Sequence, residues 1–148
     1  MRGQQRFYGK YRGTVVSNID PLQIGRVQVQ VPDVLGALPM SWAMPCLPAA
    51  GAQMGISALP PVGAKVWVEF ERGDPDYPIW VGCFWMSPSE VPPSARTVVP
   101  DLAHIALSAA GSSILVNETG IYIDNGKGAR ISMTGPAVTV NDGALVVA

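Results

Sequence analysis

The chain has 148 residues, of which 48% are hydrophobic and only 14% charged, with a net charge of −1. That balance excludes the basic footprint of a nucleic-acid binder. It also excludes an ordinary solvated monomer, whose charged share is about a quarter. No apolar run approaches the roughly 20 residues of a spanning helix, and Met1-Arg2-Gly3-Gln4-Gln5-Arg6 has no apolar core after it, so it does not read as a secretory signal. Surface hidden against other chains, in an obligate oligomer, is the reading that remains.

Sixteen glycines and 14 prolines break the chain too often for a long amphipathic helix, and strand patterns dominate. After an N-terminal arm, residues 1–8, Tyr11 to Val16 is β-branched and aromatic. The turn Asn18-Ile19-Asp20-Pro21 precedes Arg26 to Val31, where Val27, Val29 and Val31 share one face in strict alternation. Pro32 stops that strand. Ser41 to Leu47 reads as a third strand with an edge or bulge at Pro45, and residues 48–63 as a loop. Lys65 to Glu71 alternates again, with Val66, Val68 and Phe70 inward. The turn at Gly73-Asp74-Pro75-Asp76-Tyr77-Pro78 leads into Ile79 to Trp85, apolar on both faces. Five short strands with a long connection before the fourth suit an all-β, OB-type barrel over residues 9–86.

Residues 87–102, with Pro88, Pro92 and Pro93, read as an extended, stiff linker. Beyond it, residues 103–148 alternate turn clusters with very short strands whose apolar residues come in i, i+2 pairs: Ile105/Leu107, Ile114/Val116, Ile121/Ile123, Ile131/Met133, Val138/Val140 and Leu145/Val147. Strands this short, each with one narrow stripe, build no two-layer core alone and must stack on copies of themselves. A trimeric β-helix or β-prism needle with these twelve residues as its core is therefore expected.

Chemistry is sparse. The single histidine, His104, gives Cys46 or a serine no complete base–acid arrangement, so no enzyme, cofactor or metal site is expected. Cys46 and Cys83 lie in apolar strand patterns and read as buried free thiols. Asp74 and Asp76 read as turn formers that bond nearby backbone, with Pro75 and Pro78 fixing φ. Gly111, Gly120, Gly126 and Gly128 read as corners. Trp67, beside Lys65 and Glu69, is the best candidate for an exposed aromatic. It keeps an OB-fold nucleic-acid module in view as an alternative, next to a receptor- or carbohydrate-binding appendage.

Tyr11 to Val16, Ile24 to Val29, Pro61 to Phe70, the turn motif Gly73, Asp74, Pro75, Asp76 and Pro78, and Ile79-Trp80-Val81-Gly82 together resemble the N-terminal OB-fold of phage baseplate assembly protein V and its type VI secretion relatives. The resemblance implies a homotrimeric central spike of a contractile tail or injection particle, structural rather than catalytic. It implies a hub protein at the OB end and membrane contact only at piercing. Free thiols at Cys46 and Cys83 fit assembly in the reducing bacterial cytoplasm, and the resemblance leaves open a phage tail, a tailocin or another injection system. The short linker leaves no room for an inserted lysozyme domain, and no His-x-His metal knot is present. A separate PAAR-like tip protein is then expected on Val146, Val147 and Ala148.

Overall fold

A computed structural model describes residues 5–96 and 103–147. Residues 1–4 of the expected arm, 97–102 of the expected linker and Ala148 of the expected tip contact lie outside them. The chain divides into two compact units, residues 1–86 and 87–148. No described helix is long and apolar enough to cross a membrane.

The first unit is a closed barrel. Its strands are β1 (Tyr11–Ser17), β2 (Val27–Gln30), β3 (Pro39–Pro45), β6 (Lys65–Phe70) and β7 (Pro78–Phe84). They run in the order β1-β2-β3-β7-β6, and β6 pairs back onto β1. All pairs are antiparallel except β3 with β7, where Met44 faces Ile79 and Pro45 faces Trp80. Pro45 therefore ends a strand rather than marking a bulge. The long connection before β6 contains a small ribbon, β4 (Ala50–Gly51) with β5 (Met54–Gly55), in a segment expected to be only loop. After Pro32 the chain makes one helical turn, α1 (Pro32–Leu35).

The alternation seen in the sequence is the alternation that fills this barrel. Val15, Val27, Val29, Val31, Ala43, Val66, Val68, Phe70 and Trp80 are all buried and form one cluster. Each large apolar side chain so buried contributes roughly 1.5–3 kcal/mol. Phe7, Tyr11 and Phe70 pack their rings 5.5–6.1 Å apart. The turn before β2 rests on Asp20, whose carboxylate accepts from the Leu22, Ile24 and Arg26 amides and from the Arg26 guanidinium at 2.7 Å. Those bonds, the guanidinium's first, hold its carboxyl well below the usual range although burial pushes the other way.

The second unit begins with residues expected to be extended. Instead, Pro88–Glu90 and Pro93–Ala95 each form a single 3-10 turn, and the Arg96 side chain donates back to the Val91 and Ser89 carbonyls. Proline fixes φ near the value of such a turn as readily as that of an extended chain. Six strands follow: β8 (Ile105–Ala109), β9 (Ser112–Asn117), β10 (Gly120–Asp124), β11 (Arg130–Thr134), β12 (Ala137–Val140) and β13 (Leu145–Val147). They pair only with their sequence neighbours, as one antiparallel meander. A single chain thus forms a one-layer sheet.

Candidate functional site

The meander brings the twelve paired apolar residues onto one face. Ile105, Val116, Ile121, Met133, Val138 and Val147 form one row across all six strands. Leu107, Ile114, Ile123, Ile131, Val140 and Leu145 form the second row beside it. The spacing in the sequence sets each pair, and the register of the hairpins aligns the pairs. Residues of the other parity, such as Ser108, Ser113, Tyr122, Asp124, Ser132 and Thr139, face the opposite side.

The apolar face is open. Nine of its twelve residues are exposed, from 37% at Ile121 to 65% at Ile105, and Val116, Met133 and Val140 are half-buried. No described residue between 103 and 147 is fully buried; every buried residue of the core belongs to the barrel. A one-layer sheet has nothing to cover its apolar side, so this face is built to meet another surface.

The corners are fixed by short-range bonds. Asn117 Oδ1 accepts from the Thr119 and Gly120 amides. Asp124 Oδ1 accepts from the Gly126 amide at 2.6 Å, and Asn125 Oδ1 from those of Lys127 and Ala129. At Gly120 a Cβ would lie 2.1 Å from the Met133 carbonyl oxygen, so only glycine fits that approach of β10 to β11. Arg130 bridges Asp124 at 2.9 Å and Asp142 at 3.1 Å. The Gly126 amide and Arg130 lower the Asp124 pKa, and the two carboxylates raise that of Arg130. From the sequence alone these positions read only as turns. Their acid–base–acid order, Asp124, Arg130, Asp142, is the signal that could have pointed to the bridge.

The barrel's turn motif is a closed loop between β6 and β7. The Glu71 amide donates to the Tyr77 carbonyl, and the Tyr77 amide to that of Asp74, each at 3.0 Å. The Asp74 carboxylate accepts from the Asp76 amide and from Arg6, and the Asp76 carbonyl from Ser41. Gly73 is buried at φ +75°, where a Cβ would meet the Tyr8 ring at 3.0 Å. Pro78 is fully buried. Gly82 lies beside the register shift at which β7 bulges against Trp67 and Val68. These residues shape the barrel and converge on no reactive centre.

Two expectations require correction. Cys46 and Cys83 are exposed thiols, not buried ones; Cys46 follows the end of β3, and Cys83 lies one residue from the end of β7, opposite the buried Val66. Trp67 is half-buried rather than exposed, because its ring packs 4.7 Å from that of Phe84 with the Arg12 guanidinium over both. The exposed tryptophan is Trp85, at 58%. His104 is half-buried just before β8.

Comparison with known families gives two matches, one for each unit. Residues 11–85, from β1 through β7, match the type VI secretion system/phage-baseplate injector OB domain. Residues 96–146, which take in the paired apolar rows almost entirely, match the phage baseplate V C-terminal trimerisation domain. No curated protein matches the chain.

Proposed function

The chain belongs to the baseplate assembly protein V family of phage baseplates and type VI injectors, and from that premise we propose that it is the homotrimeric central spike of a contractile tail or injection particle. The family role is structural, and a trimerisation domain supports the homotrimer. The finer assignment rests on one observation: the two unbroken apolar rows of a sheet that has no core of its own.

Three such sheets, apolar faces inward, make a β-prism. Each strand contributes one pair, so every layer holds six apolar side chains around the axis. Strands lie about 4.8 Å apart, so six of them form a shaft roughly 24 Å long between the first and last layers. Its strands run across the axis, which leaves β8 and β13 as the two ends of the shaft instead of lateral edges open to aggregation.

The barrel then meets the hub, and a tip protein covers the open edge of β13, where Val147 is 61% exposed and Val146 and Ala148 complete the expected contact. Membrane contact is confined to piercing. Sedimentation equilibrium of the intact chain tests the core of this reading. A trimer that persists on dilution to nanomolar concentration is expected; a folded monomer at micromolar concentration would overturn it.

A further inference from the structure

The two ends of the barrel differ in kind. At one end lie the β1–β2 loop, the long β3–β6 connection and the exit of β7 into Trp85 and Met86. At the other lie α1 and the turn between β6 and β7. No charged residue occurs between Asp33 and Lys65, whereas five of the eight residues from Glu69 to Asp76 are charged. The β1–β2 loop carries Asp20, but that carboxylate is 4% exposed and paired with Arg26. The cations at this end are Arg26, spent on Asp20, and the half-buried Lys65 that opens β6 and donates to Thr14, so the loops themselves add no free charge to its surface.

It is also apolar. Ile19 (83%), Leu22 (62%), Met54 (66%), Ile56 (57%), Leu59 (46%) and Val62 (60%) stand open there. The loops that carry them are joined, since the Asn18 side chain donates to the Pro60 carbonyl and the Gly63 amide to that of Val15. Ile24 and Leu59 line one cleft with Leu47 and Trp80. The six exposed side chains present roughly 200–450 Å² of apolar surface by the usual conversion of side-chain burial to area, about the size of the largest patch on a monomer. Charge depletion is the mark of an interface core.

We propose that this apolar, charge-poor end is a contact between copies of this chain, three barrels meeting around the axis through their β1–β2 and β3–β6 loops. The inference rests on the trimer reading above. What selects a second copy as the occupant is connectivity. The chain leaves the barrel from this end, and nine residues, 87–95, separate it from the start of the trimerisation match. Even fully extended, nine residues span at most ~30 Å, so trimerisation holds three copies of this end close together. A tether of that length gives effective concentrations in the millimolar range, at which a patch smaller than the ~800 Å² per partner of a free complex suffices. The charged end is left for a different partner.

Electron-spin distance measurements on the full-length chain test this. In a Cys46→Ser, Cys83→Ser background, one variant carries a nitroxide at Ser57→Cys on the apolar end and another at Asp33→Cys on α1; both residues are exposed. The modulation depth counts spins per particle and so reports the trimer separately from the distance. The expected result is a three-spin depth in both, with Ser57 distances shorter than Asp33 distances by an amount on the order of the ~20 Å length of a barrel strand. Adding Leu22→Glu and Ile56→Glu should lengthen the Ser57 distances while the three-spin depth persists. Ser57 distances equal to or longer than Asp33 distances at three-spin depth overturn the inference alone, as do Ser57 distances that the two glutamates leave unchanged. A one-spin depth overturns the trimer and this contact together.

Discussion

Ile123 offers the sharpest test of the prism. It sits in the third of six apolar layers, between Ile114 and Ile131 in its row, and 40% of it is open to solvent in the single chain. Full burial of an isoleucine contributes roughly 1.5–3 kcal/mol, so covering the open two-fifths is worth about 0.6–1.2 kcal/mol per chain. Three chains lose it together, about 2–3.5 kcal/mol per trimer. At ~1.4 kcal/mol per tenfold, Ile123→Ala should weaken trimer association by roughly 30- to 300-fold, and any cavity left behind adds to the loss. Ile123→Asp should be far worse, because three carboxylates would face one another in an apolar layer, and an unpaired buried charge costs several kcal/mol. Sedimentation equilibrium across a dilution series reads both. Thr134→Asp, exposed and of the opposite parity on β11, should leave association unchanged. An Ile123→Asp chain that remains as tightly trimeric as the unsubstituted one would refute the assignment of this face, as would a Thr134→Asp chain that dissociates equally.

Three further outcomes concern the barrel. Gly63→Ala, at φ +89° with nothing within 4 Å of the new Cβ, should cost only the left-handed strain, about 1–2 kcal/mol. Gly73→Ala should lower the barrel's melting temperature further, because its Cβ also meets the Tyr8 ring at 3.0 Å and the Phe7 nitrogen at 3.1 Å; equal shifts would remove the packing part of that explanation. Asp20 has a lowered folded pKa, so its contribution is present above the unfolded value of about 3.9 and fades as pH falls below it. Urea titrations should accordingly show the unsubstituted chain ahead of Asp20→Asn at pH 7, by a margin that shrinks below about pH 4, and a pH-independent margin would contradict the linkage. Arg12→Ala should cost about 0.5–1 kcal/mol for each ring that the guanidinium covers at this partly exposed site and red-shift the Trp67 emission, while an unchanged spectrum would mean that Trp67 and Phe84 stack without it.

What could be read from the sequence was what depends on local pattern. Val27, Val29 and Val31, like Val66, Val68 and Phe70, alternate because one face of each strand enters a core, and the barrel buries all six. The pairs from Ile105/Leu107 to Leu145/Val147 were visible for the same reason. Their alignment into rows was not, because register depends on hairpin length and on close approaches such as Gly120 against the Met133 carbonyl. Other features arise only once strands are neighbours. Arg12 reaches Trp67 across the β1–β6 pair. Asp20 collects four donor groups because its loop folds back over it. Cys83 is exposed although it pairs with the buried Val66, because it lies one residue from the end of β7, a position the apolar run around it does not announce.

The two units reach stability by different routes, and the difference bears on function. The barrel closes on itself, leaves no open edge among its five strands and buries nine apolar side chains within one chain. Its pairings join residues far apart in sequence, such as Tyr11 with Val68, so closure must be complete before the core contributes. The meander pairs only neighbours, which makes each hairpin quick to form, yet it buries nothing fully until another sheet arrives. In the proposed trimer its stability would therefore depend on association, and so on chain concentration. In the proposed prism every layer is held by contacts among all three chains, so no single chain could peel away without opening six apolar layers along its whole length. An element loaded along its axis needs that property, whereas a module that works as a separate subunit does not.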